Sequence, residues 1–232
     1  MYNILVCDDD KEIVKAIEIY LTKEEYNVLK AYNGIEALKI LENNEIHLVI
    51  LDIMMPGKDG IETLEQIRKD SSIPVIMLSA KSEDEDKIKG LNLGADDYVT
   101  KPFNPLELIA RVNSGIRRFT KLGSIENEDA KRIYRTGDLI IDDDLKKVTS
   151  DGKEVKLTLT EYNILKFLIK NKGMVYSIEQ IYQNVWNDEA WGIENVIAVH
   201  IRHIREKIEI NPKDPKYLKV IWGVGYKIEK LN

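Results

Sequence analysis

Four short apolar runs in this chain each end on a group that could do chemistry. Leu48-Val49-Ile50-Leu51 leads into Asp52 and then into a turn marked by Pro56 and Gly57. Ile4-Leu5-Val6-Cys7 leads into Asp8-Asp9-Asp10, Val75-Ile76-Met77-Leu78 into Ser79, and Tyr98-Val99-Thr100 into Lys101-Pro102. If the four runs are parallel strands of one open sheet, their carboxyl ends gather carboxylates, a hydroxyl and an ammonium in one crevice. Mg²⁺ takes oxygen ligands and commonly only one or two carboxylates, which Asp8 or Asp9 together with Asp52 would supply. A carboxylate is a weak nucleophile, yet it forms an aspartyl phosphate where a metal and a cation neutralise the incoming phosphoryl group. Lys101 is the candidate for that cation, and Ser79 for a hydrogen bond to a phosphate oxygen. Taken singly these signals are weak. An Asp after a strand is more often a cap or turn residue, an acidic triplet more often a solvated loop, and a Lys before Pro more often plain surface. Their recurrence at four successive strand ends is what points to a phosphoryl site.

The elements that must position these groups alternate. Ile13, Ile17, Tyr20 and Leu21 fall at helical spacing, followed by a strand Asn27–Ala31, a helix Gly34–Asn43 and the Asp52 strand. A helix Gly60–Lys69, the Ser79 strand, a helix Glu83–Leu93, the Tyr98 strand and a helix Pro105–Arg118 complete five βα repeats. Such alternation predicts right-handed crossovers and a parallel sheet covered on both faces. The flavodoxin-like doubly wound order 2-1-3-4-5 then sets the first and third strands side by side, with Asp8, Asp9 and Asp52 at the switch point.

Periodicity stops over residues 121–130, which read as a linker between domains at 1–120 and 131–232. Beyond it, short alternating segments (Leu139–Ile141, Lys147–Thr149, Val155–Leu157) read as small antiparallel strands. Three helices follow, at Thr160–Asn171 with Thr160 as its cap, Ser177–Asn184 and Ile193–Ile208, and then a hairpin over Tyr217–Glu229 around Gly223 and Gly225. This succession suggests a winged helix-turn-helix.

Composition narrows the partners. The net charge of −6 conceals an asymmetry: residues 1–120 carry 15 basic against 22 acidic side chains, and residues 131–232 carry 18 against 15. The second half is therefore the candidate for a polyanion. A single cysteine, Cys7, inside an apolar strand excludes a disulfide framework and makes it plain core in a reducing compartment. No basic leader precedes an apolar run, and no window approaches the roughly 18 apolar residues a membrane span needs. A soluble cytoplasmic protein is expected.

Cys7-Asp8-Asp9-Asp10, Leu51-Asp52-Ile53-Met54-Met55-Pro56-Gly57-Lys58-Asp59-Gly60, Leu78-Ser79-Ala80 and Gly94-Ala95-Asp96-Asp97-Tyr98-Val99-Thr100-Lys101-Pro102-Phe103 together resemble a two-component receiver domain. Val199–Ile208 and Gly223-Val224-Gly225-Tyr226 resemble the winged helix of the OmpR/PhoB response regulators, and Ala198–Lys207 with Trp222–Lys230 resemble the vancomycin-resistance (VanR-type) members. The resemblance implies that Asp52 accepts a phosphoryl group from a sensor histidine kinase, that Asp8, Asp9, Asp52 and the Met54 carbonyl surround Mg²⁺, and that Lys101 contacts the phosphate. It implies a switch pair, Ser79 and Tyr98, and a cis peptide before Pro102, a minority isomer even for X-Pro bonds. It further implies a homodimer on phosphorylation, centred on Ile88, Leu91 and Ala110 with Lys87–Glu107 and Asp97–Arg111 as charge pairs across it. Promoter double-stranded DNA, as direct repeats, and RNA polymerase are the implied partners, with glycopeptide-resistance or other cell-envelope genes as targets. No membrane partner is implied, and no enzymatic activity beyond self-phosphorylation from a phosphodonor and autodephosphorylation.

For the second domain, Val196, Ile197, Ile201, Ile204 and Ile208 recur at helical spacing and should pack inward. Asn195, Arg202, His203 and Arg205 would then face DNA, with His200, Trp222 and Tyr226 as further contacts. The bland alternatives are a packed His200, an Arg202 or Arg205 paired with Glu206 or Glu209, and a Trp222 buried beneath the hairpin. Asn195, Ala198, Val220 and Trp222 stand where many relatives carry Arg, Asp, Thr and Arg. Two rival functions are weighed. A haloacid-dehalogenase-type phosphohydrolase would need a second Asp where Met54 stands, and a receiver kept only for dimerisation would not need Asp8, Asp9, Asp52, Ser79 and Lys101 together.

Overall fold

The computed structural model describes residues 1–80, 93–121, 132–186 and 194–231. The chain divides into two compact units, Met1–Phe119 and Thr120–Asn232. Residues 83–92 of the helix expected at 83–93 and, past Lys121, the expected linker lie outside the described residues. Among the described residues no helix is long and apolar enough to cross a membrane.

In the first unit β1 (Asn3–Cys7), α1 (Lys11–Lys23), β2 (Asn27–Ala31), α2 (Gly34–Asn43), β3 (Leu48–Asp52), α3 (Gly60–Asp70), β4 (Val75–Ala80), β5 (Asp97–Lys101) and α4 (Pro105–Lys121) follow in chain order. The strands pair in parallel in the order β2-β1-β3-β4-β5, as the alternation required. All five residues of β3 are buried, which is why its sequence is an apolar run rather than an alternation. On one face Ile4, Val6, Leu48, Ile50, Leu78 and Val99 pack against α1 and α4 through Val14, Ile17, Leu21, Leu108 and Val112.

Polar caps then aim the helices. Asp10 accepts from the backbone N–H groups of Glu12 and Ile13, Asn33 from that of Glu36, and Asp59 from that of Glu62. The acidic triplet is thus divided, with Asp10 spent on the helix and Asp8 and Asp9 left for the crevice. At Gly60 a Cβ would lie 2.0 Å from the Asp52 carbonyl oxygen, so only glycine lets α3 start against the backbone of β3.

In the second unit β6 (Ile133–Thr136), β7 (Leu139–Asp142), β8 (Lys147–Ser150) and β9 (Lys153–Val155) form an antiparallel sheet, followed by α5 (Leu159–Lys170), α6 (Ile178–Trp186), α7 (Glu194–Ile208) and the hairpin β10 (Leu218–Ile221)–β11 (Gly225–Ile228). Three expectations are corrected here. β6 went unforeseen because Ile133-Tyr134-Arg135-Thr136 is short and mixed in character. The strand expected at Val155–Leu157 is shifted upstream to Lys153–Val155. The cap of α5 is Thr158 rather than the buried Thr160: Thr158 and Glu161 exchange side-chain-to-backbone bonds in a capping box.

Candidate functional site

The carboxyl ends of β1, β3, β4 and β5 bring their polar residues together. The Lys101 ammonium lies 2.6 Å from Asp52 Oδ1 and 2.6 Å from Asp8 Oδ2. Asp8 is fully buried and Asp52 is 3% exposed, while Asp9 stands in solvent at the mouth. Each of the three carboxylates offers an oxygen within 4.8 Å of the others. Asp8 is further fixed by the Asp10 backbone N–H, which donates to its Oδ1 at 3.0 Å. Register sets the remaining members: Ser79 pairs with Thr100 and Ala80 with Lys101, one step beyond the pairing of Asp52 with Leu78. Ser79 is 1% exposed, and among the described residues its hydroxyl has no hydrogen-bond partner. Met54 lies two residues past Asp52 with its side chain exposed, and the Lys101–Pro102 bond is cis.

Burial pushes the Asp52 carboxyl up, the Lys101 hydrogen bond pulls it down, and Asp8 pushes it up again, leaving it at about 6. Burial works against the charge on Lys101, but hydrogen bonds to Asp52 and Asp8 outweigh it and hold the ammonium above its ordinary pKa. Three carboxylates facing one ammonium leave the crevice with excess negative charge, and every donor is a hard oxygen. That donor set fits Mg²⁺. Beneath it Cys7, its sulfur 3.5 Å from Met55 Sδ, is pushed up to about 12 by burial and then by Asp8 and Asp52, so it is an inert core thiol.

Tyr98, on β5 three residues before Lys101, is half-buried. Asp97, expected to pair across a dimer, is 1% exposed and accepts from Arg111 of its own chain at 2.7 Å, and Arg111 also reaches Glu107 at 2.9 Å. Within this chain Asp97 and Arg111 therefore already form an ion pair. Ala110 is half-buried on the same helix, and Lys87, Ile88 and Leu91 lie outside the described residues.

In the second unit Val196, Ile197, Ile201, Ile204 and Ile208 are all buried, as their spacing predicted. Of the expected DNA contacts, His200 and His203 are buried, and Arg205 and Tyr226 are half-buried. His200 is fully buried beside the Trp186 ring, 6.0 Å between centroids, because it falls one turn after Val196 and one before Ile204 on the apolar stripe. His203 is 5% exposed with Nδ1 3.7 Å from Glu161 Oε1, and burial lowers its pKa against the opposing pull of Glu161. Arg205 donates from Nε to the Leu218 carbonyl at 2.9 Å, with burial lowering its pKa. Tyr226 exchanges backbone hydrogen bonds with Tyr176, both 2.9 Å, and its side chain is half-buried.

Arg202 stays exposed, with Nε 3.1 Å from Glu206 Oε1. Trp222 is 89% exposed, which removes the core alternative. The side chain of Asn195 lies outside the described residues. Two positioning residues were missed. Glu161 holds Lys207 at 2.5 Å and caps α5, and its spacing from Thr158 carried that signal. Glu209 accepts from the backbone N–H groups of Lys216, Tyr217 and Leu218 at 2.7, 2.9 and 2.8 Å, a contact no local spacing announces.

Residues 4–113 match the response regulator receiver domain and residues 152–228 the transcriptional regulatory protein C-terminal domain. The chain is 46% identical to regulatory protein VanR of Enterococcus faecium over 98% of this chain and 99% of that one. It is 43% identical to regulatory protein VanRc of Enterococcus gallinarum, over 98% and 99% of the two chains. With transcriptional regulatory protein ResD of Bacillus subtilis it shares 41% identity over 98% and 95%. Among solved structures the Thermotoga maritima OmpR/PhoB homolog DrrB shares 37% identity over 99% of both chains, with a TM-score of 0.50. Full-length likeness at this level, on the same order of strands that carries the crevice, means that the chain belongs to the OmpR/PhoB family of two-component response regulators, with a receiver domain followed by a DNA-binding transcriptional regulatory domain.

Proposed function

We propose that Asp52 is the phosphoacceptor through which a sensor histidine kinase switches this regulator on. The reading is carried by Lys101, whose ammonium stands 2.6 Å from both Asp52 and Asp8 at the carboxyl end of a parallel sheet. A carboxylate oxygen of Asp52 attacks phosphorus, the phosphorus–nitrogen bond of the kinase phosphohistidine breaks, and imidazole leaves with the electron pair. Mg²⁺ held by Asp8, Asp9, Asp52 and the Met54 carbonyl would neutralise the phosphoryl oxygens during transfer. Lys101 exchanges its contact with Asp52 for one with a phosphate oxygen. The Ser79 hydroxyl, buried and without a partner among the described residues, donates to another. The added charge of about −1.5 to −2 and three acceptor oxygens draw Ser79 inward, and Tyr98 turns into the space it leaves.

Dimerisation follows on the face carrying Asp97, Glu107, Ala110 and Arg111, together with Lys87, Ile88 and Leu91. Because Asp97 and Arg111 already pair within the chain, a dimer re-partners them rather than desolvating free charges. The dimer binds promoter DNA as direct repeats through α7, with Arg202 and Asn195 as base or phosphate contacts, and engages RNA polymerase in the cytoplasm. The chemistry is confined to the chain's own phosphorylation and dephosphorylation. Likeness to VanR and VanRc makes glycopeptide-resistance genes the favoured targets. The test is to treat the full chain with acetyl phosphate and Mg²⁺ and follow its size by light scattering. A monomer-to-dimer shift that Asp52→Ala abolishes is expected, and a size unaffected by the phosphodonor would contradict the proposal.

A further inference from the structure

The exposed wing tip carries a group that phosphate contact does not explain. β10 and β11 pair from Leu218↔Ile228 to Ile221↔Gly225, leaving a three-residue loop, Trp222-Gly223-Val224. Gly223 takes a φ of +72°, and the Val224 N–H donates to the Ile221 carbonyl at 2.9 Å, so the loop is a closed turn. Trp222 at its apex is 89% exposed, flanked by exposed Val220 and Val224.

The ribbon beneath is rigid. A Cβ at Gly225 would lie 2.0 Å from the Tyr176 carbonyl oxygen, so backbone packs directly on backbone where Tyr176 and Tyr226 exchange hydrogen bonds. The base of the ribbon is tied to α7. Arg205, within the helix, donates to the Leu218 carbonyl, and Glu209, one residue past its end, accepts from the backbone N–H groups of Lys216, Tyr217 and Leu218. The backbone that carries Trp222 is therefore held at a set position relative to α7, the helix proposed above to contact DNA.

We infer that Trp222 is a specificity-determining wedge that enters a flexible pyrimidine–purine step of the minor groove, at a constant spacing from the bases read by α7. The inference rests on the DNA-binding reading of this domain and deepens it. Lys219 and Lys227 pair across the ribbon and Lys230 follows two residues past it, while the acid next to it, Glu229, lies away from the tip and is paired with Lys227 at 3.0 Å. A cationic ribbon suits a polyanion. A stable protein partner would need about 800 Å² from each side, whereas a Trp side chain buries about 150–250 Å². One apolar side chain is instead the size of wedge that unstacks a base step, and TA and CA/TG steps yield most easily.

The test is selection from a random-sequence duplex pool with the full chain treated with acetyl phosphate and Mg²⁺, repeated with Trp222→Ala and Trp222→Phe. The native chain should enrich a motif with a TA or CA/TG step at one constant spacing and bend the selected duplex, as read by end-to-end energy transfer. Trp222→Ala should keep the motif, lose the step, bend less and bind the native-selected duplex about tenfold more weakly, while Trp222→Phe keeps the step. Replacing that step by GG should weaken the native chain and leave Trp222→Ala unaffected, a readout that a folding defect would not produce. The inference is overturned if the native chain enriches a motif without the step, or if Trp222→Ala selects and bends as the native chain does. It is equally overturned if the variant loses only cooperativity between two half-sites, which would make the indole a contact between copies. A native chain that enriches no sequence would bring down the DNA-binding reading itself.

Discussion

Lys101→Met tests the electrostatics of the crevice. The substitution removes an ammonium 2.6 Å from two carboxylates, one fully buried and one 3% exposed, and leaves a side chain of similar length. Removing one partner of a buried pair costs about 3–5 kcal/mol. Two features reduce that here: the mouth is open to water at Asp9, and Asp52, already at about 6, can take up a proton. A loss of about 2–3 kcal/mol in EDTA is the resulting expectation. Mg²⁺ should then bind the variant about tenfold more tightly, since the repulsion between ammonium and metal is gone. That tenfold equals ~1.4 kcal/mol, so saturating Mg²⁺ should restore about half of the lost stability. Hydrogen exchange of peptides covering β1 and β3, in EDTA and in millimolar Mg²⁺, reads both quantities in the full chain. The reasoning is refuted if the loss is the same with and without Mg²⁺, or if the variant binds the metal more weakly than the native chain.

Glu161→Ala removes a capping-box partner and exposes the positive charge of Lys207, and should destabilise the second unit by about 2–3 kcal/mol. Tryptophan emission isolates that unit, because no tryptophan precedes Trp186 in the chain, and its midpoint should fall by about 10 °C. Asp143 yields a pH prediction. Burial raises its carboxyl, but hydrogen bonds from Lys146, Lys166 and Tyr162 more than reverse this and hold it below its ordinary pKa. The unfolded chain thus binds more protons as pH drops below about 4, and stability present above that pH is lost as it falls through the folded pKa. Asp143→Asn should flatten this acid limb in tryptophan-detected denaturation, and an unchanged limb would refute the assignment. Glu107→Lys should weaken phospho-dependent dimerisation and Lys87→Glu in the same chain restore it, with light scattering as the readout and absence of rescue as the contrary result. Arg202→Ala should cost about 1–3 kcal/mol of affinity and relax preference at one base pair. Unchanged binding would assign Arg202 to its pair with Glu206 alone.

What was legible beforehand had a local cause. β3 reads as a buried strand because all five of its residues are enclosed, and the crevice reads as a site because parallel topology converts four separate strand ends into one place. The misreadings lie where a side chain's partner is distant in sequence or its helix face is wider than assumed. On α7 the buried stripe runs through Val196, Ile197, His200, Ile201, His203, Ile204 and Ile208, so His203, expected to face DNA, lies inward, and His200 takes the packed position that was its alternative reading. Contacts at long range were likewise illegible: Arg205 donates to a carbonyl 13 residues away, and Asp97 accepts from an arginine 14 residues away. The grip of Glu209 on three backbone N–H groups leaves no periodic trace at all.

The central claim, that this crevice makes Asp52 a phosphoacceptor, is tested most directly by locating the acyl phosphate. The full chain is incubated with acetyl phosphate and Mg²⁺, reduced with borohydride, which converts a phosphorylated aspartate to homoserine, and mapped by peptide mass spectrometry. Homoserine should appear at position 52 alone, and Asp52→Ala should yield none. Homoserine at position 8 or 9, or undiminished modification in Asp52→Ala, would contradict the account.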